Sequence, residues 1–175
     1  MRIANVVSDS IVDGPGLRFT VFTQGCPHRC PGCHNPETHD PAGGRAVTVE
    51  ELAEQMLSNP LTDGLTLSGG EPFDQAGECA ALAARAKEKG LNVWAYTGYC
   101  YETLLEKENP DVLALLEQVD VLVDGPFVES LKSYDALFRG STNQRLIDVA
   151  KSRASGAVVL WSRPDPLAHF TRPES

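Results

Sequence analysis

Three cysteines lie close together in the segment 26–33, Cys-Pro-His-Arg-Cys-Pro-Gly-Cys. Cysteine thiolates bind zinc and iron, and four of them complete a structural metal site. Three thiolates leave one coordination position open, and an open position lets a metal centre bind a small molecule and react with it. The spacing therefore predicts a reactive metal centre held by Cys26, Cys30 and Cys33.

The kind of metal centre stays open on this segment alone. In a [4Fe-4S] cluster held by three cysteines, the fourth iron has no protein ligand and is free to chelate a substrate. The alternative is a zinc site of three cysteines and one histidine, completed by His28, His34 or His39. The two other cysteines, Cys79 and Cys100, lie outside this segment and are predicted to be inert buried thiols.

A second unusual group, Gly69-Gly70-Glu71-Pro72, follows a short apolar run. Paired glycines let the backbone approach a ligand closely, and Glu71 together with free carbonyl groups can accept hydrogen bonds from a ligand ammonium group. A tight turn without a ligand explains the same residues. The ligand-binding interpretation is favoured if this group lies beside the cysteines.

Composition limits the classes of partner. The chain has 175 residues, 42% of them hydrophobic, and we predict one domain over 1–162 with a loosely held tail over 163–175. The net charge of −9 and the lack of Lys/Arg runs argue against nucleic-acid or anionic-membrane partners. The sequence has neither a membrane-span pattern nor a signal-peptide core, so we expect a cytoplasmic protein with reduced cysteines.

Strand and helix signals alternate along the chain. Strands are predicted over 19–23, 65–67, 92–96, 119–123 and 157–161. Helices are predicted over 48–58, where Thr48 begins a capping box, over 75–89, which ends before Gly90, and after residues 101 and 111. This order predicts an α/β fold with a parallel sheet and right-handed crossovers.

The predicted sheet brings the unusual residues together. Loops that follow the carboxyl ends of parallel strands share one edge, where ligands bind. Here those loops carry the cysteines, the Gly-Gly-Glu-Pro group, Thr97 and Asp124. A complete (β/α)₈ barrel needs about 250 residues, so we expect a partial barrel with helices on its outer face and an open side for a large substrate.

The cysteine spacing of three residues and then two resembles that of radical S-adenosylmethionine (SAM) proteins, which carry a motif similar to Gly-Gly-Glu-Pro after their second strand. A narrower resemblance rests on six stretches in the same order: 12–19, 25–36, 67–72, 96–99, 123–125 and 138–144. Together they look like the family of anaerobic ribonucleoside-triphosphate reductase activating proteins, which are small activases of glycyl-radical enzymes. The matches run from about residue 12 to 149 and cover nearly the whole chain.

This resemblance implies a partial barrel of the radical SAM type, with a [4Fe-4S] cluster on the three cysteines whose open iron chelates SAM. One electron from a donor such as a flavodoxin splits SAM into methionine and a 5′-deoxyadenosyl radical, which takes hydrogen from a glycine Cα of the reductase. No side chain is then required as a general base. The implied cofactor-binding residues are Gly32, Cys33, His34, Gly69, Gly70, Glu71, Thr97 and Asp124, the last two toward SAM hydroxyls or a monovalent cation.

The chain departs from the pattern at two positions. Gly32 stands where many radical SAM proteins have an aromatic residue, so the adenine contact is expected from the 32–34 backbone or the His34 ring. Pro126 stands where the family often has a lysine, so no lysine contact to SAM is expected. The segment 138–145 has a composition suited to binding a backbone segment, which a plain surface loop explains almost as well.

Three other functions remain open on the sequence. One is a small-molecule radical SAM enzyme similar to 7-carboxy-7-deazaguanine synthase. Another is an activase of a different glycyl-radical enzyme. The third is a zinc or electron-transfer module without enzymatic activity. Trp94, Tyr96 and Phe127 are expected in the core rather than beside a cofactor.

Overall fold

Seven strands form one sheet in the computed structural model, which describes residues 1–163. In chain order the strands are β1 Arg2–Ser10, β2 Arg18–Thr23, β3 Arg45–Ala46, β4 Gly64–Gly69, β5 Asn92–Tyr96, β6 Val121–Asp124 and β7 Arg145–Asp148. The α-helices of this part of the chain are α1 Val49–Ser58, α2 Ala76–Glu88, α3 Tyr101–Glu106, α4 Pro110–Gln118 and α5 Val149–Ser155.

The sheet has a parallel centre and antiparallel edges. Its strand order is β3-β1-β2-β4-β5-β6-β7, in which β2, β4, β5 and β6 are parallel. The strands β1, β3 and β7 join antiparallel to their neighbours. The predicted α/β class is confirmed, and the prediction of a wholly parallel sheet is wrong at both edges. Only the segment 11–17 connects β1 to β2, which is too short for the crossover that a parallel pair requires.

The helices cover one face of the sheet. Strand side chains alternate between the two faces, and those pointing toward the helices are apolar, such as Phe19, Leu67 and Val93. They pack in one core with buried side chains from all of these helices, including Leu52 of α1 and Leu115 of α4. Each buried leucine contributes about 1.5–3 kcal/mol, so this face supplies most of the hydrophobic stabilisation.

The opposite face holds a smaller core. Trp94, Val121 and Val123 are buried there, and Phe138 and Trp161 pack against them. The Trp94 ring meets the rings of Phe138 and Trp161 edge-on, with centroid separations of 5.2 and 5.0 Å. The prediction that Trp94 is a core residue is confirmed.

Arg18 lies fully buried at the amino-terminal end of the parallel strands. Its guanidinium donates hydrogen bonds to Thr66 Oγ1 at 2.9 Å, to the Leu65 carbonyl at 2.6 Å, to the Pro15 carbonyl at 3.3 Å and to Asn92 Oδ1. Burial lowers the pKa of Arg18 to about 10. These bonds fasten the loop that enters β2 to the neighbouring strands.

Most predicted elements are present, with shifted ends. Thr48 caps α1 through the predicted capping box. The helix α2 ends at Glu88, and Lys89 separates it from Gly90, which has a φ of 75°. The last parallel strand starts at Val121 rather than at residue 119, because the Val119 amide still bonds to Leu115 in α4. The predicted strand over 157–161 is wrong, since only a single bridge joins Leu160 to β7.

The strands β1, β3 and β7 were not predicted. No helix within residues 1–163 is both long enough and apolar enough to cross a membrane. The predicted tail lies outside the described residues from position 164 onward, and the boundaries of the single domain stay a prediction.

Candidate active site

Four loops meet at the carboxyl end of the parallel strands. The segments that follow β2, β4, β5 and β6 line one open cavity of about 570 Å³. β2 and β4 end side by side because Thr23 pairs with Gly69. The lining residues include Cys26, His28, Cys30, Cys33, His34, Gly69, Gly70, Thr97, Gly98, Gly125, Phe127 and Arg139. The expected convergence of the unusual residues at one edge is thus present for most of them.

The cysteine loop is held by backbone hydrogen bonds. The Gly25 amide donates to Thr38 at 2.8 Å and the Cys33 amide to Cys30 at 3.1 Å. All three cysteines are half-buried on the wall of the cavity. Cys79 and Cys100 do not line it; Cys79 is buried as predicted, and the predicted burial of Cys100 is wrong because that residue is exposed. Burial raises the pKa of the Cys26 thiol, and the neighbouring His28 and Arg29 amides oppose this shift. Binding to a metal would supply the driving force to ionise this thiol.

The three thiols fit an iron-sulfur cluster better than a zinc ion. Within residues 1–163, no three His, Cys, Asp or Glu side chains are placed to hold a single metal ion. In a [4Fe-4S] cluster each thiolate binds a different iron, so three thiols around one cavity need not converge on a point.

The histidines proposed as zinc ligands have other surroundings. His28 is bonded to Glu71, and the His34 ring packs against Phe127 at a centroid separation of 5.0 Å. The His39 Nε2 atom is buried without a hydrogen-bond partner among the described residues, and His39 does not line the cavity. Within residues 1–163, none of these histidines joins the cysteines in a group that could hold a single metal ion.

Glu71 joins three of the loops. Its carboxylate is fully buried and accepts hydrogen bonds from the Phe73 amide (3.1 Å), Thr97 Oγ1 (2.9 Å), the Gly98 amide (2.9 Å) and His28 Nε2 (2.8 Å). A carboxylate has about four acceptor positions, and these donors use all of them. Glu71 therefore links the loops, and its predicted bond to a ligand ammonium group stays a prediction with no free acceptor position to support it.

Gly69 and Gly70 allow two protein segments to touch. A Cβ on Gly70 would lie 2.3 Å from the Gly25 carbonyl oxygen, and Gly69 has a φ of 89° with Phe22 closely packed against it. The Gly70 amide donates to Thr23, and the Glu71 amide donates to Gly25, each at 2.8 Å. The paired glycines thus bring the end of β4 against the residue that precedes Cys26, and they also line the cavity.

The chain is similar over most of its length to proteins that activate other enzymes. The model of a family described as a 4Fe-4S single cluster domain matches residues 12–147. The anaerobic ribonucleoside-triphosphate reductase-activating protein of Escherichia coli strain K12 is 37% identical over 144 residues, which are 77% of this chain and 90% of the relative. The protein of the same name from Enterobacteria phage T4 is 39% identical over 155 residues, 83% of this chain and 93% of the relative.

This chain belongs to the family of anaerobic ribonucleoside-triphosphate reductase-activating proteins. A related protein with a different name is the pyruvate formate-lyase 1-activating enzyme of Escherichia coli strain K12, which is 33% identical over 172 residues. That match covers 93% of this chain and 66% of the relative. The family resemblance inferred from the motifs is confirmed.

Thr97 and Asp124 were both expected near SAM, but only Thr97 lines the cavity. Thr97 lines the cavity, and its hydroxyl donates to Glu71 while accepting from the Tyr99 amide. The Asp124 carboxylate is buried and accepts from the Arg145 guanidinium and from the Tyr101 amide. Asp124 does not line the cavity, so its predicted contact with SAM or a cation stays a prediction with no free carboxylate to support it.

The residues expected around the adenine are only partly brought together. Cys33 and His34 line the cavity, whereas Gly32 does not and faces the Glu129 side chain. Phe127 stands beside His34 on the wall, and Tyr96 lines the cavity while its hydroxyl donates to the Phe138 carbonyl at 2.9 Å. Tyr96 also packs against the smaller core, so its predicted core position is confirmed in part, whereas Phe127 lies on the cavity wall and belongs to neither core.

Arg139 was missed as a cavity residue. It is the one Lys or Arg among the described residues that line the cavity, and its Nε atom is buried without a hydrogen-bond partner. Its NH1 atom donates to the Gln144 carbonyl at 3.0 Å, and the Gln144 side chain donates to Gly125. The segment 138–144 is therefore a wall of the cavity. Its Arg, Ser, Asn and Gln composition was the signal, but it gave no indication of which residue points inward.

Proposed function

We propose that this protein is a radical SAM activase that forms the glycyl radical of an anaerobic ribonucleoside-triphosphate reductase. The observation that carries the proposal is the arrangement of Cys26, Cys30, Cys33 and Gly70 on the wall of one open cavity, in a chain of the activating-protein family. The cavity volume of about 570 Å³ falls within the usual range for cofactor sites.

The three cysteines would each bind one iron of a [4Fe-4S] cluster and leave the fourth iron toward the cavity. When bound, the cluster supplies the electron that cleaves the C5′–S bond of SAM, giving methionine and the 5′-deoxyadenosyl radical that takes hydrogen from a glycine Cα. The chain itself binds and orients these groups, and it needs no acid or base for the transfer.

Other side chains would position SAM. The guanidinium of Arg139 brings a positive charge into the cavity and would lie near the SAM carboxylate. Pro126, at the position where the family often has a lysine, cannot supply such a charge. Carbonyl groups around Gly69 and Gly70 would accept from the amino group. The rings of His34 and Phe127 would border the adenine.

We further propose that the sheet forms a partial barrel. Support comes from the four parallel strands, from the helices on one face and from the cavity at the carboxyl ends of the strands. On the open side, Val7 and Val12 line the cavity and are themselves exposed. A glycine-containing segment of the reductase would enter from this side, close enough for direct hydrogen transfer.

The electron donor would be a small redox protein such as a flavodoxin. We propose that the activity resides in the cytoplasm, where the cysteines stay reduced. The relative named pyruvate formate-lyase 1-activating enzyme supports one alternative substrate, a glycyl-radical enzyme other than the ribonucleotide reductase.

The test is anaerobic reconstitution with iron and sulfide, followed by reaction with SAM and dithionite. We expect about four irons per chain and release of 5′-deoxyadenosine, measured by chromatography. Addition of the cognate reductase should then give a glycine-centred radical by electron paramagnetic resonance (EPR), and replacing the target glycine by alanine should eliminate it. A radical only in pyruvate formate-lyase would support the alternative substrate, and conversion of a free pterin would support the small-molecule enzyme.

A further inference from the structure

His28 lies between two of the cluster cysteines, and its ring is held from three directions. The Nε2 atom is 2.8 Å from Glu71 Oε2, and the ring meets the Tyr99 ring edge-on at a centroid separation of 4.5 Å. The ring also rests on Gly98, since a Cβ there would lie 2.3 Å from His28 Cδ2. Its side chain is 17% exposed, so most of it is enclosed.

The partner of His28 is itself fixed. Glu71 also accepts from the Phe73 and Gly98 amides and from the Thr97 hydroxyl, which belong to the loops after β4 and β5. Because a carboxylate only accepts hydrogen bonds, His28 Nε2 must carry the proton and donate it. A hydrogen bond to a buried charged acceptor is among the stronger ones in proteins. It therefore ties the cysteine loop to two neighbouring strands.

The backbone of His28 faces the first cluster ligand. The amides of His28 and Arg29 are close enough to the Cys26 thiol to favour its ionised form, and Arg29 has a φ of 47° that few residues adopt. The ring contacts with Glu71, Tyr99 and Gly98 fix His28 between Cys26 and Cys30. Their loss would let the two amides shift relative to the sulfur.

We propose that His28 is a positioning residue that holds the Cys26–Cys30 segment against the sheet and thereby sets the reduction potential of the cluster. The inference rests on the proposed cluster at the three cysteines. Amide groups directed at a ligand sulfur stabilise the more negative, reduced cluster and raise its potential. Loss of the His28 side chain should therefore make the cluster harder to reduce.

The experiment uses the full-length reconstituted protein and two closely matched variants. In His28→Gln the side-chain nitrogen lies about as far from the backbone as Nε2 of histidine, whereas in His28→Asn the nitrogen is too close to the backbone to reach Glu71. We expect the midpoint potential of His28→Asn, from a redox titration followed by EPR, to be more negative than that of the wild type. His28→Gln should stay close to the wild type, and iron release to a chelator should be faster only in His28→Asn.

Gly98→Ala provides a second variant if His28→Asn folds poorly. The added methyl group would displace the His28 ring, so the midpoint potential of the cluster in Gly98→Ala should also become more negative. The double variant Gly98→Ala/His28→Ala should match His28→Ala, because no ring remains to be displaced. Tyr99→Phe is the control, since it removes only the hydroxyl bonded to Asp74, and its potential should not change.

The proposal is overturned if His28→Asn or Gly98→Ala has the wild-type potential, or if His28→Gln shifts as much as His28→Asn. Iron analysis of the wild type separates this result from failure of the proposed function. A wild-type protein without a [4Fe-4S] cluster would refute both the proposed function and the role of His28. A normal cluster whose midpoint potential is unchanged in His28→Asn and Gly98→Ala would refute only the role of His28.

Discussion

The helix-covered face of the sheet and the cavity edge at the carboxyl ends of its strands are stabilised in different ways. The helix-covered face is held by apolar side chains such as Leu67 and Leu115, each nearly or fully buried in one continuous core. The cavity edge is held by a polar network around Glu71, whose donors come from loops far apart in sequence. The first arrangement tolerates local repacking, whereas the second depends on a few hydrogen bonds with fixed directions. We therefore expect substitutions at the cavity edge to lower iron content, SAM binding or SAM cleavage more than the free energy of unfolding. Substitutions in the helix-covered core should lower the free energy of unfolding and leave the site intact.

The largest effect is expected from the cysteines of the loop. Replacing Cys26, Cys30 or Cys33 by alanine should reduce SAM cleavage to background, because each removes one of three cluster ligands. Formation of 5′-deoxyadenosine under dithionite is the measurement. Cys79→Ala and Cys100→Ala are the controls and should retain cleavage. Full activity of Cys30→Ala, or a folded but inactive Cys79→Ala protein, would contradict the assignment.

Gly70→Ala should be the next most damaging change. Its methyl group would press on the Gly25 carbonyl and displace the chain just before Cys26. We expect the folded protein to lose most of its bound iron, and not merely affinity for SAM. Gly77→Ala in α2 is the matched control, since its methyl group meets only ordinary contacts and helix propensity favours alanine. Normal iron content in Gly70→Ala would show that the contact with the cysteine loop is unimportant.

A smaller effect is expected at Arg139. Arg139→Gln removes the charge that lies in the cavity, and a hydrogen bond to a charged group is worth about 1.5–3 kcal/mol. SAM should bind about 10- to 100-fold more weakly, as measured by anaerobic calorimetry. Arg153→Gln changes a guanidinium that pairs with Glu117 on the surface, and it should leave the affinity unaltered. Equal affinities of the two variants would remove Arg139 from the SAM site.

The smallest effect on chemistry is expected in the helix-covered core. Leu115→Ala should lower the free energy of unfolding by about 2–5 kcal/mol, because it leaves a cavity among packed side chains. Chemical denaturation measures this loss. SAM affinity and iron content should be unchanged at a temperature where the protein stays folded. A comparable loss of iron in Leu115→Ala and Gly70→Ala would remove the distinction between the helix-covered face and the cavity edge.

The same contrast explains what could be predicted from the sequence. Apolar runs such as 65–67 and 92–96 and the capping box at Thr48 have local signals, and the elements they predict are present. The strand β1 was missed because most of its residues are polar or exposed and its pattern is interrupted by irregular pairing with β2. The strand β7 was missed because its four residues are few and directly follow a polar segment.

The site was predictable where its residues share a short motif. The cysteine spacing and the glycine pair indicated the cavity wall, but the bond between His28 and Glu71 joins residues 43 positions apart. No local pattern shows that Glu71 uses all its acceptor positions on protein donors. The inward position of Arg139 depends on an irregular segment that only tertiary packing defines.

The hydrogen transfer itself can be followed with isotopes. A reductase prepared with deuterium on the glycine Cα is mixed anaerobically with the reconstituted protein, SAM and dithionite, and the 5′-deoxyadenosine is analysed by mass spectrometry. We expect one deuterium in the product, together with a glycine-centred EPR signal in the reductase. Cleavage of SAM that leaves 5′-deoxyadenosine without deuterium and the reductase without a radical would contradict the proposed function.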